Sequence, residues 1–114
     1  MKKLFMLAFG VFAFAATAKA QSKFDAADFK SKLGKTGTLC DTVKSLRIVS
    51  DTLTLLNMGG VYPHQKYTIA LKGNKVTLDL PNIKGKAVCV TGIFELFKEQ
   101  PEVVASRPDQ IDVH

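Results

Sequence analysis

Residues Gly85 to Ile111, "GKAVCVTGIFELFKEQPEVVASRPDQI", decide how this chain folds. Val88 and Val90 alternate with polar or small neighbours, the signature of a strand with one buried face. Gly92 interrupts the alternation and marks a bulge or bend. Phe94 and Leu96 resume it, Lys98-Glu99-Gln100-Pro101 makes a turn, and the chain returns through Val103 and Val104. This is a hairpin of two strands, followed by "SRPDQI" as a last turn and a short edge.

The same alternation runs backward through the chain. In "TLCDTVKSLRIVS", Thr38 to Ser50, the apolar residues Leu39, Val43, Leu46, Ile48 and Val49 alternate imperfectly, which predicts a long bent or bulged first strand. Asp51 sits in a tight connection to a second strand, "LTLLNM". The glycines and proline of "GGVYPHQ" mark a loop. A third strand follows in "KYTIALKG", with Tyr67, Ile69 and Leu71 facing a core and Lys66, Thr68, Ala70 and Lys72 facing water. "GNKVTLDLPNIKG" alternates through Val76, Leu78 and Leu80 but is broken by glycine and Pro81, so it reads as a connection holding a short strand or a turn of helix. Ahead of these strands, "KFDAADFKSKLG" carries a full set of helix signals. Asp25 is an N-cap, Phe24 can staple onto Phe29, Phe29 and Leu33 share a face, and Gly34 can end the helix in a left-handed conformation. Five strands and one short helix suit a small, partly open barrel better than a sandwich.

The first residues are set aside from the fold. Lys2 and Lys3, an apolar run from Leu4 to Ala16, and Ala18-Lys19-Ala20 have the three parts of a cleavable secretory signal, and the run is too short to span a bilayer. The expected organisation is a signal peptide over 1–20, a helix over 21–34 packed on a barrel, and the barrel itself over 35–114. The mature chain would be periplasmic or secreted, with no stable membrane anchor after cleavage. Three of the 16 basic residues fall in the signal, leaving 13 against 10 acidic, so the mature net charge is only +3. A balance this mild does not by itself imply a polyanionic partner.

Cys40 and Cys89 are an even pair in an exported chain, and a bond between them would staple a domain with room for only one modest core. Two distant cysteines with only His64 and His114 offer no metal-ligand spacing, and no cofactor motif is present. There is likewise no GxSxG, no phosphate loop and no His-Cys or His-Asp constellation, so no enzyme is expected.

"GKAVCVTGIFELFKEQPEVVASRPDQI" resembles the last two strands of small exported bacterial OB-fold domains: a Gly-Lys start, alternating valines, Thr-Gly, a hairpin with proline after its turn, and a closing Ser-x-Pro-x-Gln-Ile. "LTLLNMGGVYPHQKYTIALKG" is similar to strands two and three of the same domains, and the likeness runs from about Gly34 to Val113. It implies a mainly β, five-stranded OB-fold Greek-key barrel with a short N-terminal helix. It further implies that Cys40 and Cys89 lie on paired strands one and four, forming a cross-strand disulfide outside the barrel. The hairpin turn departs from the usual Lys-Gly-Lys-Pro of such domains, and the chain has no tryptophan.

Such domains are usually described as nucleic-acid-binding, and two readings stay open. In the first, the exported module binds single-stranded DNA or RNA without catalysis, using Arg47, Lys66, Thr68, Lys72 and Lys98 toward phosphate and Tyr62 toward a base or sugar. In the second, the same barrel face binds an envelope protein or a glycan, a reading that suits the low net charge and the mixed-sign turn.

Overall fold

The structure is a computed structural model that describes residues 23–114, so the expected signal peptide at 1–20 lies outside the described residues. The first described element is helix α1 (Ala26–Ser31). Asp25 caps it: its Oδ1 accepts from the backbone N–H groups of Ala27 and Asp28 at 2.9 and 3.1 Å. Phe24 packs on Phe29 with ring centroids 5.6 Å apart, the staple expected from the sequence. Leu33 does not join Phe29 on the helix face. The helix ends at Ser31, so the residue one turn on from Phe29 falls beyond the Lys32 cap and stays exposed. Gly34 takes the left-handed conformation, φ +84°.

Six strands follow: β1 (Thr36–Ser50), β2 (Leu53–Met58), β3 (Tyr67–Lys72), β4 (Ala87–Phe97), β5 (Gln100–Ala105) and β6 (Ile111–Val113). They form one sheet in the order β1-β2-β3-β5-β4-β6, and β1 also pairs with β4, which closes β1, β2, β3, β5 and β4 into a ring. All pairings are antiparallel except β3 with β5. The expected five strands become six because the short edge after "SRPDQI" pairs with β4 as a strand of its own.

Phase decides what faces inward. In the first half of β1, Leu39 and Val43 are buried at odd positions; between Val43 and Ser45 the register with β2 slips by one residue, and Leu46 then packs on the core from an even one. The bulge at Lys44 is the reason the alternation is imperfect. Beyond it, one transverse row of the ring is apolar and inward: Leu46, Leu56, Ile69, Val103 and Phe94 stand opposite one another on successive strands. Phe94 stacks on Phe29 at 4.5 Å and Tyr67 on Phe24 at 5.6 Å, so α1 lays its aromatics against the interior.

The connection after β3 holds a single turn of 3-10 helix (Leu80–Asn82), and it also feeds the core through Val76, Leu78, Leu80 and the buried Ile83. Among the described residues no helix is long and apolar enough to cross a membrane.

Two expectations about exposure are corrected. The outer face of β3 is not wet, since Thr68 and Ala70 are both buried. β3 is flanked on both edges, and Ala70 lies between the larger Leu55 and Val104 of its neighbours. Leu96, which has the phase of Phe94, is exposed because it sits opposite Pro101 near the tip of the β4–β5 hairpin, where Phe97, Lys98, Glu99 and Gln100 are exposed as well. The tip is a two-residue turn with positive φ at Lys98 (52°) and Glu99 (68°), as the twist of a tight hairpin requires.

Cys40 and Cys89 stand directly opposite in the β1–β4 ladder and are disulfide-bonded, with an S–S distance of 2.06 Å. Their neighbours Leu39, Val88 and Val90 point inward, so the bond lies on the outer side, half-buried.

Candidate functional site

One residue out of phase with the apolar row, the same five strands carry a polar row on the outside of the ring. Ser45, Asn57, Thr68, Glu102 and Glu95 are successive register partners across β1, β2, β3, β5 and β4. They are linked in part by side-chain hydrogen bonds. Gln65 Nε2 donates to Thr68 Oγ1 at 3.4 Å, Thr68 Oγ1 donates to Asn57 Oδ1 at 3.3 Å, and Asn57 Nδ2 donates to Ser45 Oγ at 2.9 Å. The Tyr62 backbone N–H also donates to Ser45 Oγ, which ties the loop after β2 to the row. Gln65 Oε1 is buried and has no partner among the described residues, leaving an acceptor unmet beside the row.

Two walls rise over this floor and enclose a cleft of about 700 Å³. One wall is the loop after β2, which contributes Val61 and Tyr62 and turns at a cis Tyr62–Pro63 bond. The other is the β4–β5 hairpin, which contributes Phe97, Lys98, Gln100 and Pro101. Tyr62 and Phe97 are 68% and 56% exposed, far more than an aromatic ring retained for packing needs. The Lys98 ammonium lies 5.4 Å from the Phe97 ring centroid, so one cation is already stationed at that ring. Arg47 lines the cleft from β1, in register with Leu55.

Of the residues expected at a site, Arg47, Tyr62, Thr68 and Lys98 are brought together here. Lys66 and Lys72 are not among the lining residues. Lys66 turns toward β1, with Nζ 3.9 Å from Asp41 Oδ2 and its stem against Gly59. Lys72 ends β3 and acts on the cleft only through its charge, which opposes the effect of Glu95 on Glu102.

Asn57, Gln65, Phe97 and Glu102 were not anticipated at the site. Asn57 and Gln65 carried no distinguishing pattern. Glu102 did carry a signal, since a two-residue turn at Lys98-Glu99 puts Phe97 opposite Gln100 and therefore Glu95 opposite Glu102.

Glu102 is the unusual group. It is only 7% exposed, and burial, a hydrogen bond with Glu95 and the Glu95 charge push its carboxyl up to about 7, with Lys72 pulling the other way. The folded state therefore binds this proton more tightly than the unfolded chain. The stability linked to it is complete below the ordinary value of 4.5 and is lost as pH rises through about 7. Glu102→Gln removes that loss. Urea denaturation is expected to find the variant more stable than the parent by about 3 kcal/mol near pH 8, and by none of this increment near pH 4. An equal difference at both pH values would exclude the linkage.

Among the described residues no three His, Cys, Asp or Glu side chains are grouped to hold a metal ion. The cleft combines ring faces, amides, hydroxyls and one cation on each of two sides, which is chemistry for holding a ligand. No protein-family model matches the sequence, and a search of curated proteins finds no similar one.

Proposed function

We propose that the chain is an exported OB-fold module that holds a short stretch of single-stranded DNA or RNA in this cleft, without catalysis. The observation that carries the reading is the pair of exposed rings, Tyr62 and Phe97, flanked by Arg47 and Lys98 over the outer face of β2 and β3. In an OB-fold, that face and the loop joining strands four and five are among the places where oligonucleotides lie. Two further features support the fold assignment: the ring order β1-β2-β3-β5-β4, and the single parallel pairing of β3 with β5. The leader pattern at 1–20 and the Cys40–Cys89 bond support a periplasmic or secreted location. In this reading Tyr62 and Phe97 stack bases, Arg47 holds a phosphate bidentately, and Lys98 acts as a point charge.

The test is a polarisation titration of oxidised protein with labelled single-stranded DNA and RNA over a range of salt. Affinity should fall linearly with log salt, with a slope of about −0.7 for each phosphate neutralised. Phe97→Ala should weaken binding by about 1–3 kcal/mol through lost stacking, and Arg47→Ala should flatten the salt slope by about one phosphate. No binding even at low salt would eliminate the reading.

One observation favours the second reading, an envelope protein or a glycan on the same face. The cleft is lined by hydroxyls, amides and the Glu102 carboxyl, a lining that also suits sugar hydroxyls. Binding of a neutral oligosaccharide with little salt dependence, alongside no oligonucleotide binding, would select it.

A further inference from the structure

Glu102 stands at the middle of the cleft's chemistry, and the nucleic-acid reading does not by itself use it. It sits on β5 between Thr68 of β3 and Glu95 of β4, at the floor of the cleft and beside Pro101 of the hairpin wall. Of the groups that line the cleft, four can pair with the edge of a flat ring: the Glu102 carboxyl, the Thr68 hydroxyl, and the Asn57 and Gln65 amides. On that reading, we propose that Glu102 is the specificity-determining residue of the cleft, and that its protonation sets which nucleobase edge is accepted.

The chemistry follows from donor and acceptor counts. An ionised carboxyl is acceptor-only and offers two oxygens side by side. Its complement is an edge with two adjacent N–H donors, which guanine presents at N1 and N2 and inosine, lacking the N2 amine, does not. A protonated carboxyl offers one donor and one acceptor. That pattern matches the amino group and ring nitrogen of cytosine or adenine.

Both forms are within reach near neutral pH, because burial and Glu95 raise the group to about 7. The charged groups facing it are Glu95 from β4 and Lys72 from β3, with Arg47 of β1 and Lys98 of the hairpin turn lining the same cleft. β2 contributes only the uncharged Asn57 and Leu55 to the lining. The unmet Gln65 Oε1 is a further acceptor for an incoming N–H.

The experiment is a set of polarisation titrations with labelled octamers that alternate thymidine with guanosine, inosine or cytidine. Near pH 8.5 the guanosine octamer should bind about tenfold tighter than the inosine octamer, the value of one good bidentate contact. Near pH 5.5 that ratio should fall to about one, and the cytidine octamer should gain. Glu102→Gln, which holds the donor-acceptor pattern of the protonated acid at every pH, should lose the guanosine preference at both.

Glu95→Gln keeps Glu102 but removes the neighbouring charge that raises it, so the crossover should move to lower pH. This second variant guards against misfolding of the first. A guanosine-to-inosine ratio that ignores both pH and Glu102→Gln overturns the inference and leaves the nucleic-acid reading standing. Failure to bind any octamer removes both.

Discussion

Replacing Cys40 and Cys89 together by alanine is expected to lower the stability of the oxidised protein by about 4 kcal/mol, measured as the free energy of urea unfolding at neutral pH. The bond closes a loop with a sequence separation of 49 residues, and the chain-entropy cost that it removes from the unfolded ensemble gives this value. Its position makes the effect direct. β1 from Thr36 to Thr42 pairs with β4 from Ile93 to Ala87, and this seam joins strands far apart in the chain to close the ring.

The ladder continues on both sides of the cysteines, and Thr38 and Thr91 share a hydroxyl hydrogen bond of 2.7 Å two register steps away. The variant should therefore still fold. Because the bond acts mainly on the unfolded chain and lies away from the cleft-lining residues, ligand affinity under folding conditions should not change. A stability loss below about 1 kcal/mol would show that the staple does not carry the seam.

Gly92→Ala should cost about 3 kcal/mol, the upper part of what overpacking ordinarily costs. A Cβ at this position would lie 2.2 Å from the Val104 carbonyl oxygen, with Val103 Cγ1 at 3.1 Å and Gln110 Nε2 at 3.3 Å. The carbonyl is backbone of β5 and is not free to step aside. Gln110 Nε2 donates both to it and to the Thr91 oxygen, while Gln110 Oε1 accepts from the Ser106 and Arg107 backbone N–H groups.

Gly92 pairs with Gly37 across the seam, one residue before the β1 pairing ends at Ile93 and two before the β5 pairing begins at Phe94. Gly73→Ala is the control: its φ is +88°, yet a Cβ there meets nothing within 4 Å, so only about 1 kcal/mol of backbone strain is expected. Thermal or urea denaturation showing Gly92→Ala no worse than Gly73→Ala would refute the close-approach explanation.

The candidate site was legible only where it depended on local phase. Arg47, Thr68, Tyr62 and Lys98 could be placed on a strand face, in a loop or at a hairpin turn from the residues around them, and all four line the cleft. Lys66 and Lys72 had the same credentials, but neither lines it, because one turns to Asp41 and the other ends its strand. Phe97, out of phase with Phe94 and Leu96, becomes a candidate only when the hairpin tip is seen to stand over the cleft. Asn57 and Gln65 become part of a site only when β1, β2 and β3 are set in register.

The sequence by itself determined the elements whose physics is short-range. These include the Asp25 cap and the Phe24–Phe29 staple, the slipped phase of β1, the Ser50–Leu53 hairpin and a hairpin turn opening at Lys98, which the structure shortens to Lys98-Glu99 because Gln100 and Pro101 already pair in β5. Each depends on residues a few positions apart, where capping, alternation and turn geometry leave a visible pattern. The tertiary structure alone decided the parallel pairing of β3 with β5, the sixth strand and the polar row from Ser45 to Glu95. Those features are registers between strands distant in sequence. A register sets which side chains become neighbours across the sheet, and it leaves no mark on the order of residues along any one strand.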